Sequence, residues 1–101
     1  MPYIGQGTRP EFDDYIEELA AQVANHSPGE HDLEGNLNYC ITRLLLLSFR
    51  TRFEKFRYWM STAMKGILGD VTDELYRRKV APYEDKKIKE NGDVKEYQED
   101  W

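Results

Sequence analysis

The sequence predicts an all-α protein, a small oligomeric bundle of three main helices with a short C-terminal helix. Two observations carry this prediction. Apolar residues recur at helical spacing in successive segments, and proline or glycine marks the boundaries between those segments. A chain of 101 residues fits one domain. We expect a single helical domain over residues 1–94 and a polar tail over residues 95–101.

The composition is typical of a water-soluble globular chain. Hydrophobic residues make up 40%, charged residues 33%, and the net charge of -5 gives no general basis for binding nucleic acid. The single cysteine, Cys40, excludes an internal disulfide. No segment resembles a signal peptide, and the apolar run Leu44 to Leu47 is too short to cross a membrane. These features favour the cytoplasm.

The first helix is predicted over residues 10–25, after an extended arm with the sequence "MPYIGQG". Thr8 and Glu11 have the spacing of a capping box, and Pro10 falls in the first helical turn. The apolar positions that repeat at helical spacing are Phe12, Ile16, Leu19 and Val23.

The second helix follows the predicted loop "NHSPGEHDLEGN", and Asn36 is its expected N-cap. Its four consecutive leucines, at positions 44–47, cover most of the helix circumference because successive residues are about 100° apart. Such a helix is either central in its own bundle or shared with another chain. We expect a homo-oligomer that assembles through the second and third helices.

The third helix is expected after an irregular joint at residues 50–53. Its predicted inward residues are Phe56, Met60, Ala63, Met64, Ile67, Val71, Leu75 and Tyr76. Inside a helix, Gly66 and Gly69 each lower stability by up to about 1 kcal/mol relative to alanine. Close approach of another helix would explain why glycine stands at these positions. Pro82 ends or bends this helix, and a short fourth helix stops at Asn91-Gly92. The tail is polar unless its apolar residues dock, namely Val94, Tyr97 and Trp101.

Two longer motifs, "GNLNYCITRL" (35–44) and "ELYRRKVAPYEDKKIKENGDV" (74–94), resemble a family of short uncharacterised proteins of phages, bacteria and archaea. The resemblance extends from about Tyr3 to Val94. Family members carry "GDLNYAITRL" and a "GVLE" segment before "YRR", so Asn36 stands in place of an aspartate and Gly69 in place of an acid. The resemblance implies a helical fold and a phage or prokaryotic setting, without an established activity.

An acidic cluster on the third helix could bind a metal ion. Asp70, Asp73 and Glu74 share one helix face, as do the magnesium-binding acids of all-α nucleoside triphosphate pyrophosphohydrolases. Such enzymes need a second acidic pair on a facing helix, and the adjacent residues Glu17 and Glu18 diverge. Salt bridges at helical spacing, Asp73 with Arg77 and Glu74 with Arg78, are the favoured interpretation.

Other catalytic or metal-binding patterns are weak. His26, His31 and Cys40 match no zinc-binding spacing. The sequence contains no glycine-rich phosphate loop and no Ser-His-Asp order. We therefore expect no catalysis and no cofactor.

A cationic and aromatic set is the candidate ligand site. Arginine forks bind phosphate, tyrosine rings stack on bases, and lysines add charge. In the alternative interpretation Arg43 pairs with Glu74 or Glu84 inside the bundle. The candidate ligand-binding residues are Asn36, Tyr39, Arg43, Arg77, Arg78, Tyr83, Lys86 and Lys87.

The segment "RTRFEKFRYWM" (50–60) alternates basic and aromatic residues. Without more positive charge or a recognition helix, nucleic acid binding is disfavoured. We interpret its aromatic residues as core contacts, with the arginines extending around them to water.

These observations favour a non-catalytic binding protein for a small phosphate-bearing nucleotide, which a phage could use to sequester a host defence signal. The first alternative is a structural or protein-interaction module. The second is a metal-dependent nucleotide pyrophosphohydrolase, disfavoured by Gly69 and by the missing second acidic pair.

Overall fold

The computed structural model describes residues 3–100, and every regular element in that range is helical. The all-α prediction is therefore confirmed, whereas oligomeric assembly stays a prediction. The chain divides into two compact units, Met1–Ser61 and Thr62–Trp101. The elements are α1 (Pro10–Asn25), α2 (Glu30–Arg52), α3 (Tyr58–Leu75), a π turn (Tyr76–Val80), α4 (Ala81–Asn91) and α5 (Lys95–Gln98).

Helix α1 has the predicted bounds, but its N-terminus is built differently. Pro10 lies in the first turn, where its missing N–H costs nothing. The predicted capping box is wrong, because Arg9 is the N-cap and makes no side-chain capping bond. Backbone turns at residues 6–9 replace the expected extended arm there, and the Arg9 guanidinium donates to the Ile4 carbonyl at 3.3 Å.

Helix α2 begins six residues before Asn36, so the prediction that Asn36 caps it is wrong. Pro28-Gly29 ends the connection, and the Asp32 carboxylate accepts a hydrogen bond from the Gly29 N–H at 3.1 Å. Glu30 and Asp32 lie in the first turn, where negative charge favours the helix. The two acids thus start the helix earlier than the Asn36 pattern indicated.

The C-terminal end of α2 carries an aromatic cluster. The Phe53 and Trp59 rings meet edge to face with centroids 5.2 Å apart, and the Phe49 ring lies 6.2 Å from Phe53. The Arg52 guanidinium lies 5.0 Å from the centre of the Phe53 ring. The aromatic rings contact one another, but the interpretation of the segment as core contacts holds only in part, because Met60 is buried, Phe53 is half-buried, and Trp59 and Phe56 are exposed.

Few side chains are buried in either unit. Val23 and Met60 are the buried apolar residues of the first unit, and Met64 is that of the second, within residues 3–100. None of the 23 residues of α2 is buried, so the first of the two alternatives, a helix central in its own bundle, does not hold for the single chain, while a helix shared with another chain stays a prediction. Its leucines have too few partners within the chain to cover them.

Helix α3 follows the predicted inward face only at its start. Met60 and Met64 are buried and Ala63 is half-buried. The later members of the predicted face are exposed instead, namely Ile67, Val71, Leu75 and Tyr76. The prediction is wrong for them because periodicity identifies an apolar face but does not supply a partner for it.

Gly66 and Gly69 do not mark a close helix contact within the chain. A Cβ atom built on either residue would meet no atom within 4 Å. At about 100° per residue, both lie on the side of α3 opposite Met64 and Val71. The exposed apolar face of α3 therefore does not contain these glycines.

The predicted bend at Pro82 takes the form of a π turn. The Ala81 N–H bonds to the Tyr76 carbonyl, five residues back, and the backbone stays helical from Tyr58 to Asn91. A proline in a regular α-helix clashes with the carbonyl four residues before it, and the wider turn relieves that clash. Pro82 thus widens the helix without ending it.

The stop at Asn91-Gly92 is confirmed. Gly92 has φ of 89°, a conformation that glycine adopts without a Cβ penalty, and its N–H bonds to the Ile88 carbonyl at 2.8 Å. Beyond it, Val94 and Tyr97 are exposed, so neither side chain docks. Trp101 lies outside the described residues.

Candidate functional site

Three of the predicted ligand residues lie on one face of α2. Asn36, Tyr39 and Arg43 follow one another at spacings of three and four residues, which places them side by side along the helix. All three belong to the first unit. The sequence therefore identified a continuous polar and aromatic face.

Asn36 has a structural role. Its side-chain amide donates to the Ser27 hydroxyl at 2.9 Å and to the His26 carbonyl at 3.2 Å, and Ser27 in turn donates to the Val23 carbonyl. These bonds tie the α1–α2 connection to the first turns of α2. Because both amide hydrogens are engaged within the chain, Asn36 offers a ligand mainly its carbonyl oxygen.

A cavity of about 250 Å³ lies between α1 and α2. Tyr39 and Cys40 line it from α2, together with Asn36. The α1 side and its end contribute Leu19, Gln22, Val23 and His26. Its lining is mixed, and the half-buried thiol of Cys40 belongs to this wall.

One helical turn further along the same face lies a second cavity of about 320 Å³. Arg43 and Arg50 border it, Leu46 and Leu47 form its apolar part, and Thr42 adds a hydroxyl. Neither arginine has an ion-pair partner among the described residues of its own unit, 3–61. We call this cavity the Arg43–Arg50 depression. It combines two available guanidinium groups with an apolar floor.

Sequence reasoning missed Arg50 and Thr42 as site residues. Arg50 was assigned to an irregular joint, whereas α2 continues to Arg52 and brings Arg50 onto the Arg43 face. Their separation of seven residues is two helical turns, a signal that the sequence carries. Extending the predicted helix by three residues would have identified the pair.

In the second unit, one carboxylate holds two arginines. Arg77 donates to both oxygens of Glu74, at 2.9 and 2.8 Å from Nη2, and Arg78 Nε lies 3.4 Å from Glu74 Oε2. The predicted pairing of Glu74 with Arg78 is confirmed. Arg77 binds Glu74, the residue three positions earlier, whose carboxylate faces the guanidinium fork, and the predicted pairing of Arg77 with Asp73 stays a prediction.

The charge of this cluster is reflected in the titration of Glu74. The hydrogen bond from Arg77 lowers the pKa of Glu74, and the positive charges of Arg77 and Arg78 lower it further against the opposing effect of desolvation. The Glu74 side chain is 19% exposed, while those of Arg77 and Arg78 are 66% and 59% exposed. The two guanidinium groups thus face water while Glu74 anchors them.

The remaining predicted ligand residues lie on α4. Lys87 Nζ is 5.6 Å from the centre of the exposed Tyr83 ring and 3.0 Å from Glu90 Oε2. Lys86 makes no ion pair with any described residue. Tyr83 and Lys87 therefore form one local surface with an aromatic face and a cation.

The predicted pairing of Arg43 with Glu74 or Glu84 joins residues of different units, and it stays a prediction. Locally, Glu74 holds Arg77 and Arg78, and Glu84 accepts a hydrogen bond from the Tyr76 hydroxyl at 2.5 Å. Both carboxylates thus have partners within the second unit. Convergence of Arg43 with Arg77 and Tyr83 likewise stays a prediction.

No group of three or more His, Cys, Asp or Glu side chains is arranged to hold a metal ion within residues 3–100. The acids of α3 contribute Glu74 to an arginine cluster. No helix in the same range has the length and apolar character needed to cross a membrane.

The helical elements of the described residues define the class as an all-α protein. The chain belongs to the family described as a domain of unknown function, DUF6899, whose model matches residues 1–94. This match agrees with the resemblance to an uncharacterised family. No curated protein and no solved structure matches the chain.

Proposed function

We propose that this protein is a non-catalytic binding protein for a small phosphate-bearing ligand, with a nucleotide as the best candidate. The observation that carries the proposal is the Arg43–Arg50 depression, where two guanidinium groups without carboxylate partners in the described part of the first unit border an apolar floor. A guanidinium that lacks an internal anion is available to an external one. Phosphate fits because each arginine can bind two of its oxygens.

The size and composition of the depression suit a nucleotide. Its volume of about 320 Å³ is at the lower end of small-molecule sites. Leu46 and Leu47 provide an apolar surface for a base or sugar, and the exposed Tyr39 ring lies one turn away on the same face. The phosphate would bind the arginines while the base covers the leucines.

A stoichiometric binder of this kind would act by sequestration. In a phage, it would lower the free concentration of a nucleotide signal of the host defence without chemical change of the ligand. The resemblance to phage and prokaryotic proteins supports this setting. The expected homo-oligomer would multiply the number of sites in each particle.

A protein-interaction module is the second candidate, and a specific observation favours it. Large apolar side chains are exposed on helices of both units, among them Ile16 on α1 and Val71 and Leu75 on α3. Exposed apolar faces mark protein contacts more often than nucleotide sites. The two functions are compatible, because the residues that line the Arg43–Arg50 depression lie on α2.

Calorimetric titration tests the ligand proposal. Inorganic phosphate, ATP, GTP, cyclic AMP and cyclic di-AMP are each titrated into the wild type, Arg43→Gln and Arg50→Gln. We expect at least one nucleotide to bind the wild type, and each substitution to weaken it at least tenfold because half of the cationic border is lost. Arg57→Gln, which removes the same charge outside the depression, is the matched control.

Absence of binding by the wild type to every member of the panel would remove the nucleotide proposal and leave the interaction module as the better explanation. An equal loss of affinity in Arg57→Gln would show that net charge, not the depression, attracts the ligand.

A further inference from the structure

Helix α2 exposes an apolar stripe on the side away from the Arg43–Arg50 depression. The stripe contains Leu33, Leu37, Ile41 and Leu44, whose exposed fractions are 40%, 41%, 49% and 62%. At about 100° per residue, the four positions fall within one narrow sector of the helix, and Leu46 falls on the opposite side. Four adjacent aliphatic side chains exposed in one line favour a helical partner.

The two ends of this stripe carry opposite charges. Glu30 and Glu34 flank it in the first turns of α2, and Arg52 flanks the same edge in the last turn. Glu30 and Arg52 are each eleven residues from Ile41. Within the described part of the first unit, residues 3–61, none of the three forms an ion pair with Lys, Arg, Asp or Glu, and Glu34 lies 3.8 Å from His31.

We propose that this stripe binds the same stripe of a second copy of the chain, with the two α2 helices antiparallel about a two-fold axis at Ile41. A two-fold axis perpendicular to two antiparallel helices keeps one flank of each helix beside the same flank of the other. Glu30 of one copy then lies level with Arg52 of the other, and Glu34 lies within reach of the same guanidinium. Each dimer contains this charged contact twice.

The charge pattern selects this arrangement over a parallel one. In a parallel pair Glu30 and Glu34 would lie level with their own copies at one end and Arg52 level with its copy at the other, so no acid would lie level with a base. Like charges at the same level are unfavourable, whereas the antiparallel pair places acids beside a base and also opposes the two helix dipoles. The other flank of the stripe carries Cys40, Leu47 and Thr51, which are uncharged. This flank of α2 therefore adds no charge of its own to the antiparallel contact.

Light scattering and sedimentation test the dimer. We expect the wild type to have twice the 12.0 kDa chain mass at micromolar concentration, and Leu44→Glu to reduce it to one chain. Leu46→Glu introduces the same charge on a leucine that is 52% exposed on the opposite side, so it should remain dimeric.

Circular dichroism confirms that each variant is folded, and Leu44→Ala replaces Leu44→Glu should the latter unfold. A wild-type monomer, or dissociation by Leu46→Glu and not by Leu44→Glu, would overturn the proposal.

A charge swap tests the pairing. Glu30→Arg and Arg52→Glu each place like charges at both ends of their own homodimer, and we expect each to weaken self-association about tenfold. In a mixture of the two variants, every end joins an arginine to a glutamate. Native mass spectrometry should therefore show heterodimers in excess of both homodimers. A statistical mixture would overturn the charge pairing.

Cross-linking tests the direction, in a Cys40→Ser background. Ile41→Cys lies on the axis and should form a disulfide with its copy, because the two positions approach each other. Leu33→Cys should not, since antiparallel helices separate it from its copy by about 24 Å along the axis. Efficient self-cross-linking through Leu33→Cys would show a parallel pair and contradict the proposal. None of these tests uses a nucleotide, so their outcome is independent of the proposed ligand.

Discussion

At the scale of single residues, the contacts of Glu74 account for the arrangement of the charged side chains of Arg77 and Arg78. Its carboxylate accepts hydrogen bonds from Arg77 and lies close to Arg78, so three of the ionisable side chains form one compact cluster. A cluster of this kind orients guanidinium groups in advance, which suits either a local structural role or ligand binding. Two substitutions separate these roles.

Arg77→Lys keeps the positive charge but removes the planar fork. If the cluster only stabilises the helix, we expect the melting temperature to fall by a few degrees with no change in nucleotide affinity. If it binds phosphate, affinity should fall at least tenfold while the melting temperature changes little. Melting curves and titrations of wild type and variant, with Lys86→Arg as a control, distinguish the two outcomes.

Glu74→Gln makes stability less dependent on pH. Because the hydrogen bond from Arg77 and the two positive charges hold the pKa of Glu74 below its unfolded value, its stabilising effect is complete above that unfolded value, about 4.3. The effect is lost as the pH falls through the folded pKa. We therefore expect Glu74→Gln to melt a few degrees below the wild type at pH 7 and together with it near pH 2.

Thermal melts at pH 7, 5, 3 and 2 measure this difference, and Asp73→Asn is the matched control on the same helix. A gap between wild type and Glu74→Gln that persists unchanged at pH 2 would contradict the assigned cause.

At the scale of elements, the π turn sets the relation between α3 and α4. Tyr76 and Glu84 are eight residues apart, a separation that places side chains about 80° apart on a regular α-helix. The π turn accommodates one additional residue, so the pair behaves like one separated by seven residues and meets on the same face. The hydrogen bond between Tyr76 and Glu84 is therefore a marker for the presence of the π turn.

Pro82→Ala should remove the reason for the π turn. Without the clash of the proline ring, a regular α-helix is favoured, α4 rotates by about 100° relative to α3, and the Tyr76 hydroxyl loses Glu84. The hydrogen bond to Glu84 raises the pKa of Tyr76, so this pKa should fall towards its ordinary value in Pro82→Ala. Selective ring labelling of tyrosine with a pH titration by NMR measures it.

Tyr76→Phe identifies the signal, and Pro10→Ala is the control because Pro10 lies in the first turn of α1. An unchanged Tyr76 titration in Pro82→Ala would show that the π turn has another cause.

Sequence patterns predicted the elements better than their environments. The bounds of α1, the stop at Gly92 and the effect of Pro82 follow from local stereochemistry, which the sequence specifies directly. The start of α2 was wrong because Asn36 and Asp32 both suit a helix N-terminus, and only the Gly29 N–H bond decides between them. Burial of a side chain depends on a surface that covers it, which periodicity does not reveal. Periodicity alone assigned Val71 and Leu75 to a core, but both side chains are exposed.

The candidate site was predictable in part for the same reason. Arg43 and Tyr39 were identified because a cation and an aromatic ring on an apolar helix are conspicuous. Arg50 was missed because the end of α2 was placed too early. The sequence does not specify which carboxylate the Arg77 guanidinium binds, since residues three and four positions apart are equally close on a helix.

At the scale of the whole molecule, we expect no metal-dependent turnover. Incubation with nucleoside triphosphates and magnesium or manganese should release neither phosphate nor pyrophosphate above a heat-inactivated control. The reason is that Glu74 holds two arginines, which compete with a cation for its oxygens. Sustained turnover that Asp73→Asn or Glu74→Gln abolishes would establish the pyrophosphohydrolase alternative.

The last prediction concerns how ligand binding and assembly combine. The Arg43–Arg50 depression and the Leu33–Leu44 stripe lie on different sides of α2, so each should survive loss of the other. We expect Arg43→Gln to bind nucleotide at least tenfold more weakly but to keep the mass of two chains. Leu44→Glu should have the mass of one chain and retain nucleotide affinity within about threefold.

Native mass spectrometry in the presence of the best nucleotide of the panel measures subunit number and bound ligand together. Loss of ligand on dissociation would instead place part of the binding site on the second copy, and a dimer that forms only with nucleotide would make the ligand part of the interface.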